Sequence, residues 1–248
     1  MPNSATLVQA LGAAFCVILC ALSSLGGGSM MIGARTAAWA KSGYTAKDYV
    51  QDGLIAMWDG IENAGWGVHD PNATVWRDLL GDNDITFEHG PAWDGDCAIF
   101  DGYTKGLFST MDTPIVAFEM VLLSEKSMAY VFDYGNLNWF AGFAMYLSYS
   151  GKFVMQGGKD AFAITTPYKQ IVAVTEIIGD RIWINNQSTS EKNYIGWGRA
   201  YGVGGNITND WRFKGRIYSL RFYSRFDEAV RLANYAVDKA RFNLPDVT

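Results

Sequence analysis

Tryptophans in segments rich in glycine and asparagine are the residues of this sequence whose setting best suits ligand binding. Trp66 and Trp197 each lie between two glycines, Trp139 follows Asn-Leu-Asn, and Tyr201 lies close to Trp197. Flat aromatic faces stack on sugar rings, while nearby amides and carboxylates bond to sugar hydroxyls. An aromatic residue in such a loop also packs readily over the end of a β-sandwich. We therefore predict that Trp66, Trp139, Trp197 and Tyr201 bind a carbohydrate, with packing as the alternative.

Nucleophilic catalysis and zinc binding have little support in the sequence. His69 and His89 are its two histidines, and no Gly-x-Ser-x-Gly motif is present, so a Ser/His/Asp triad is not indicated. Cys16 and Cys20 lie in an apolar N-terminal stretch, which leaves Cys97 alone, and no Cys/His spacing resembles a zinc site. We expect a protein that is not an enzyme.

Composition and charge indicate one main globular domain and exclude nucleic acid as a partner. The 248 residues are 49% hydrophobic and 15% aromatic, which is enough for a large core. The formal net charge of -5 provides no basic excess to neutralise phosphates.

The N-terminal segment, residues 1–45, is predicted to lie outside the fold formed by residues 46–248. The stretch Ala5–Leu25 is almost wholly apolar and long enough to cross a bilayer, which needs roughly 20 apolar residues. It also resembles the apolar region of an export signal, since Ala38-Trp39-Ala40 fits a cleavage site. A third interpretation is an extension that forms a frayed apolar helix, with the true start near Met30. The first two interpretations predict an extracellular or cell-surface protein, anchored to the membrane or secreted.

The remainder of the chain has the pattern of an all-β fold with one helix at its C-terminal end. Short stretches rich in valine, isoleucine and aromatic residues alternate with glycine, asparagine and aspartate. Within Arg216–Ser224, alternation places Tyr218, Leu220 and Phe222 on a buried face, with Ser219, Arg221 and Tyr223 on a solvent face. Residues 227–241 have helical periodicity, acidic residues first and basic residues last. The predicted strands are Leu54–Trp58, Ile85–Glu88, Ala98–Phe100, Ile115–Leu123, Met128–Asp133, Phe140–Tyr149, Lys152–Gln156, Ala161–Thr165, Gln170–Ile177, Arg181–Asn185, Ala200–Val203 and Phe213–Tyr223.

The order of several short motifs resembles the concanavalin A-like lectin/glucanase superfamily, in particular the laminin G-like jelly-roll domains of bacterial surface proteins. The motifs cover roughly residues 52–242 and are DGLIAMWDG from Asp52, TVWRDLLG from Thr74, AIFDG from Ala98, DRIWIN from Asp180 and FKGRIYSLRFYSR from Phe213. The resemblance implies a jelly roll of two antiparallel sheets packed face to face, in which the first and last strands meet. It also implies a short helix after the last strand, which residues 227–241 fit.

The resemblance further implies candidate functions. Laminin G-like domains often hold calcium through aspartates on loops, which makes Asp59 and Asp78 candidate ligands, although clustered aspartates also form turns. Glucanases of the superfamily carry paired glutamates on one strand, whereas Glu119 and Glu176 are solitary here. We therefore predict a non-catalytic surface or secreted module that binds carbohydrate or a cell-surface partner. The alternatives are a structural spacer of a surface or phage-like assembly and, more weakly, a divergent glycoside hydrolase.

Overall fold

The computed structural model of the chain describes residues 43–81, 83–104, 106–107, 114–125, 129–135, 142–147, 152–157, 160–165, 171–177, 181–191, 200–204 and 212–244. In these residues the predicted all-β class is confirmed, with two antiparallel sheets and one C-terminal helix. A short 3-10 helix, Ala46–Asp48, precedes the first strand. The strands in chain order are β1 (Leu54–Asp59), β2 (Val75–Trp76), β3 (Ile85–Phe87), β4 (Ala92–Trp93), β5 (Ala98–Asp101), β6 (Gly106–Leu107), β7 (Ala117–Ser124), β8 (Ala129–Gly135), β9 (Gly142–Leu147), β10 (Lys152–Gly157), β11 (Asp160–Thr165), β12 (Ile171–Ile177), β13 (Arg181–Ile184), β14 (Gln187–Glu191), β15 (Ala200–Val203) and β16 (Lys214–Tyr223), and helix α1 (Glu228–Phe242) follows them.

The first sheet is organised around its longest strand, β16. Its order is β14-β13-β12-β7-β16-β5-β4. Strand β7 pairs along one edge of β16, while β5 and β1 share the other edge. Strand β1 pairs with the second half of β16, which confirms that the first and last strands meet. The second sheet has the order β11-β10-β9-β8-β15-β6-β3-β2.

The main apolar core draws side chains from both sheets. Trp58, Leu220 and Phe222 of the first sheet are fully buried in one cluster with Trp76 and Ile85 of the second. The rings of Trp58 and Phe222 meet edge to face at 5.4 Å. Two sheets that share such a core form a sandwich, and the more specific jelly-roll topology stays a prediction.

Strands that are short or polar were beyond prediction from the sequence pattern. Strands β2, β4 and β6 have two residues each, too few to show a period. Strand β14 is polar and follows a turn in which Asn185 and Asn186 both adopt positive φ, of 47° and 67°. Asparagine tolerates that backbone region, and two such residues in sequence suit a tight hairpin.

The outer face of the first sheet is covered by α1, which corrects the prediction for β16. Ser219, Arg221 and Tyr223, predicted to face solvent, are all 0% exposed. Tyr218 does not join Leu220 and Phe222 in the main core. Its ring instead lies 5.5 Å from that of Phe242 in α1. The reason is a register shift between β16 and β7 after Ile217, because an extra residue in a strand breaks the strict alternation of faces.

The predicted helix is confirmed to within one residue at each end. Asp227 caps its N-terminus by accepting a hydrogen bond from the Val230 N–H at 2.9 Å. Asn243 ends it in the left-handed conformation, with φ of 51° and ψ of 49°. Among the described residues, no helix is both long and apolar enough to span a bilayer. The apolar segment Ala5–Leu25 lies outside the described residues, so its role stays a prediction.

Candidate functional site

A cavity of about 270 Å³ opens beside α1, at the end of the sandwich where the chain leaves β1. Three parts of the chain meet there: the segment before β1, the loop after β1, and the last turn of α1. Its lining residues are Gly43, Tyr44, Thr45, Ile61, Glu62, Gly67, His69 and Arg241.

Asp59, the last residue of β1, anchors the loop to α1. Its carboxylate accepts hydrogen bonds from the Ile61 and Glu62 N–H groups at 3.0 and 3.1 Å, which folds the chain sharply after the strand. It also accepts two bonds from the Arg241 guanidinium, at 2.7 and 3.0 Å. Because Asp59 and Arg241 are both buried, this bidentate pair fixes the back of the cavity.

Glu62 joins the three parts of the chain that form the cavity. Its Oε1 accepts the Ala46 N–H at 2.8 Å, and its Oε2 accepts the Gly67 N–H at 2.7 Å. Arg241 Nη2 lies 3.6 Å from Oε1. Removal of this carboxylate leaves two N–H groups without their acceptor, so Glu62 is part of the framework of the cavity.

His69 is held in a defined orientation on the wall of the cavity. Its Nδ1 lies 3.1 Å from the Ile61 carbonyl oxygen. Since a carbonyl oxygen only accepts, Nδ1 must carry the proton, and Nε2 of the neutral ring is then a hydrogen-bond acceptor. The Asn63 amide exchanges two hydrogen bonds with the Asp70 backbone, each 2.8 Å long, and so fixes the loop around His69.

Trp66 stands at the tip of a four-residue turn beside the cavity. The turn is closed by the Val68 N–H, which donates to the Gly65 carbonyl at 2.9 Å. Gly67 has φ of +70°, a conformation that glycine adopts without strain at this position. The Trp66 ring is partly buried against a small apolar cluster that includes Tyr49 and Met57. Packing thus accounts for part of this ring, and the rest remains accessible.

The charges behind the cavity are arranged so that Arg241 remains a cation. Burial alone lowers the pKa of a guanidinium, but Asp59 and Tyr49 together outweigh that effect and raise the pKa of Arg241 above its ordinary value. At the rim, hydrogen bonds from the Thr45 N–H and hydroxyl lower the pKa of Asp48. The Arg241 Nε is buried and has no hydrogen-bond partner among the described residues.

The two predicted calcium ligands have other roles in the structure. Asp59 is bound by Arg241, as above. The Asp78 carboxylate accepts the N–H groups of Met57, Leu80 and Asn83 at 2.9, 3.1 and 3.1 Å. Both carboxylates thus accept hydrogen bonds from the protein, and these bonds give each of them a structural role without a metal ion. Within the described ranges, no group of three or more His, Cys, Asp or Glu side chains is arranged to hold a metal ion. Calcium binding by the chain stays a prediction.

The other predicted binding residues do not belong to the described lining of this cavity. Trp139 and Trp197 lie outside the described residues, and Tyr201 lies in β15 of the second sheet. The prediction for these three residues is therefore untested. Sequence reasoning overlooked Tyr44, Glu62, His69 and Arg241. Glu62 and His69 flank Trp66 within one loop, and that proximity was the available signal.

A second polar group, the Arg221 cluster, lies between the first sheet and α1. It consists of Tyr49, Glu119, Arg221, Asn234 and Asp238. Arg221 donates to Asp238 at 2.9 and 2.7 Å and to Glu119 at 3.2 Å. Burial, and then the charge of Asp238, raise the pKa of Glu119 to about 7, although Arg221 and Asn234 oppose the shift. Glu119 thus shares the Arg221 cation with Asp238 of α1, and its side chain is buried.

Two solved structures share this fold. Domain 4 of a GH43 extracellular arabinanase from Geobacillus stearothermophilus, solved with arabinotriose, matches with a TM-score of 0.54 at 14% identity. That match covers 74% of this chain and 98% of the domain. The sialidase of Trypanosoma rangeli, solved with sialic acid, matches with a TM-score of 0.57 at 10% identity, over 86% of this chain and 39% of the sialidase. No protein-family model matches the chain, and no curated protein sequence matches it. At these identities the likeness concerns the fold alone, and the resemblance to the concanavalin A-like superfamily stays a prediction.

Proposed function

We propose that this chain is a non-catalytic carbohydrate-binding module, secreted or displayed at a cell surface, that binds its ligand in the cavity between Tyr44, Glu62 and His69. The observation that carries the proposal is the cavity itself, in which a fixed imidazole and a fixed carboxylate lie with the aromatic ring of Tyr44. Tyr44 is 42% exposed and lines the cavity, and Trp66 is on the adjoining turn. Concave sites with aromatic walls and a few oriented polar groups are typical of small-ligand binding.

The fold neighbours support a carbohydrate as the ligand class. The arabinanase domain was solved with arabinotriose and the sialidase with sialic acid. A sugar needs a flat ring to stack on and oriented groups to bond its hydroxyls, and Tyr44 and His69 supply these.

The cavity chemistry favours binding over hydrolysis. A glycosidase places two carboxyl groups on either side of the scissile bond. Among the described residues that line the cavity, Glu62 is the one carboxylate, and each of its oxygens accepts a backbone N–H. Asp59 lies behind it, bonded to Arg241. Neither group has the freedom that a proton donor or nucleophile requires.

A glycan microarray probed with the full chain tests this proposal. We expect binding that is lost or strongly reduced in Trp66→Ala and Tyr44→Ala and retained in Tyr103→Ala, which removes an aromatic ring that is 70% exposed and does not line the cavity. An array without signal, together with stable self-assembly of the chain, would favour a structural spacer. Release of reducing ends from any polysaccharide would instead show a hydrolase.

A further inference from the structure

We infer that the cavity accepts a single uncharged sugar residue and discriminates against acidic sugars. This inference rests on the proposed function and specifies its substrate class. It follows from the charges, the hydrogen-bond acceptors and the size of the cavity.

The described lining of the cavity offers no lysine, and no arginine free of an ion pair, to a sugar carboxylate. Arg241 is the one arginine among these residues, and both of its terminal nitrogens are bonded to Asp59. Glu62 is a second carboxylate near the same guanidinium, with its Oε1 3.6 Å from Arg241 Nη2. Two carboxylates thus face one cation, and the local charge is negative. A carboxylate brought into this cavity would lose its hydration and meet like charge, which is unfavourable.

The cation of Lys47 does lie near the Trp66 turn, but outside the described lining of the cavity. Lys47 Nζ is 5.7 Å from the centre of the Trp66 ring, and Lys47 does not line the cavity. The adjacent Asp48 is exposed and negatively charged, so it offsets Lys47 at the rim. The rim therefore adds little net positive charge.

The polar groups of the lining are mainly acceptors. His69 Nε2 is an acceptor in the neutral ring, because Nδ1 donates to the Ile61 carbonyl. The Thr45 hydroxyl donates to Asp48 at 2.9 Å and accepts the Lys47 N–H at 3.3 Å, so its proton is not offered to a ligand. Glu62 oxygens retain further acceptor capacity beyond their backbone bonds. Neutral sugars present several O–H donors to such a wall, whereas a sugar carboxylate presents acceptors alone.

The volume of the cavity limits what enters it. A volume of about 270 Å³ places this cavity at the small end of ligand pockets, with room for about one sugar ring and its hydroxyls. Pockets for drug-sized ligands begin at about 300 Å³. One residue of a glycan therefore lies inside, and neighbouring residues extend past Tyr44 and the Trp66 turn.

Calorimetric titration of the full chain with matched sugars tests the inference. Each neutral methyl glycoside is compared with the methyl glycoside of its uronic acid, for example that of galactose with that of galacturonic acid, which differ at C6 alone. Arabinotriose serves as a neutral oligosaccharide. We expect neutral members to bind at least tenfold more tightly than their uronates, with affinities that do not change with salt. Tyr44→Ala and His69→Ala should weaken binding, whereas Tyr103→Ala and Lys47→Gln should not.

The outcomes separate this inference from the proposed function. A preference for uronates or sialosides, lost in Lys47→Gln, would overturn the inference and leave a carbohydrate-binding module. Neutral binding that persists in both Tyr44→Ala and His69→Ala would place the sugar elsewhere and also overturn it. The absence of binding to every sugar in the array would overturn both proposals.

Discussion

The inner face of the first sheet buries apolar side chains, whereas the outer face buries charged side chains as well as apolar ones. On β16, Leu220 and Phe222 point into an apolar core shared with the second sheet, while Arg221 between them points toward α1 and is also 0% exposed. The inner face is held by contact between apolar surfaces, which tolerates many combinations of side chains. The outer face is held in large part by charged groups that each need a specific partner. The outer face is therefore the more exacting, and it is also the face that builds the cavity.

We expect the largest effect on stability from substitutions at two adjacent positions of β16, one on each face of the sheet. Arg221→Met leaves Glu119 and Asp238 buried without their cation, and we expect it to lower the free energy of unfolding by about 3–5 kcal/mol. Leu220→Met puts the same residue on the inner face at similar volume and should cost less than about 1.5 kcal/mol. Urea denaturation of both variants measures the difference. Equal losses would contradict the contrast between the faces.

The pH dependence of stability tests the outer face through Glu119. Its pKa is about 7 in the folded protein, and about 4.3 is the ordinary value for the unfolded chain. Between these values the folded state holds the proton more tightly, so Glu119 makes the free energy of unfolding fall as pH rises from about 4 to about 7.

Glu119→Gln removes this contribution. We expect the fall between those two pH values to be smaller in Glu119→Gln than in the unmodified chain, by urea denaturation at each pH. Glu125→Gln, an exposed glutamate just past β7, is the matched control and should leave the slope unchanged. An identical slope in Glu119→Gln would mean that burial does not hold the proton on this group.

We expect the smallest effect on stability from substitutions in helix α1, which packs on the outer face. Asp227→Ala removes the N-cap of α1 and should cost about 1 kcal/mol, because a helix N–H loses its acceptor. Leu232→Ala, at a helix position that is 46% exposed, should change stability by less than about 0.5 kcal/mol. Thermal denaturation of both variants compares them. A loss as large as that of Arg221→Met would show that the cap holds the whole outer face.

The inner face was predictable from the sequence, and the outer face was not. Alternation along residues 216–224 identified Leu220 and Phe222 as core because apolar residues at period two have few other interpretations. The same rule placed Arg221 in solvent, since a polar residue on the face opposite the core is usually exposed. Its burial depends on Asp238, 17 residues later, and on Tyr49, which is 189 residues from Asp238. Local patterns carry no information about such pairings.

In the candidate site, too, some features were predictable from local sequence and others depend on long-range contacts. Trp66 was predicted from its glycine-rich setting, and the structure places it on a turn beside the cavity. Arg241 was predicted as a helix-terminal cation, whereas its partner Asp59 lies 182 residues earlier in the chain. The cavity exists because this pair joins β1 to α1. Its composition was therefore set by long-range contacts that spacing alone does not reveal.

The most direct test of sugar binding in this cavity is a crystal structure of the full chain with a neutral oligosaccharide such as arabinotriose. We expect one sugar ring in the cavity, stacked on Tyr44 and bonded to His69, with the Asp59–Arg241 pair intact behind it. A sugar bound to the second sheet, with this cavity holding water alone, would contradict it.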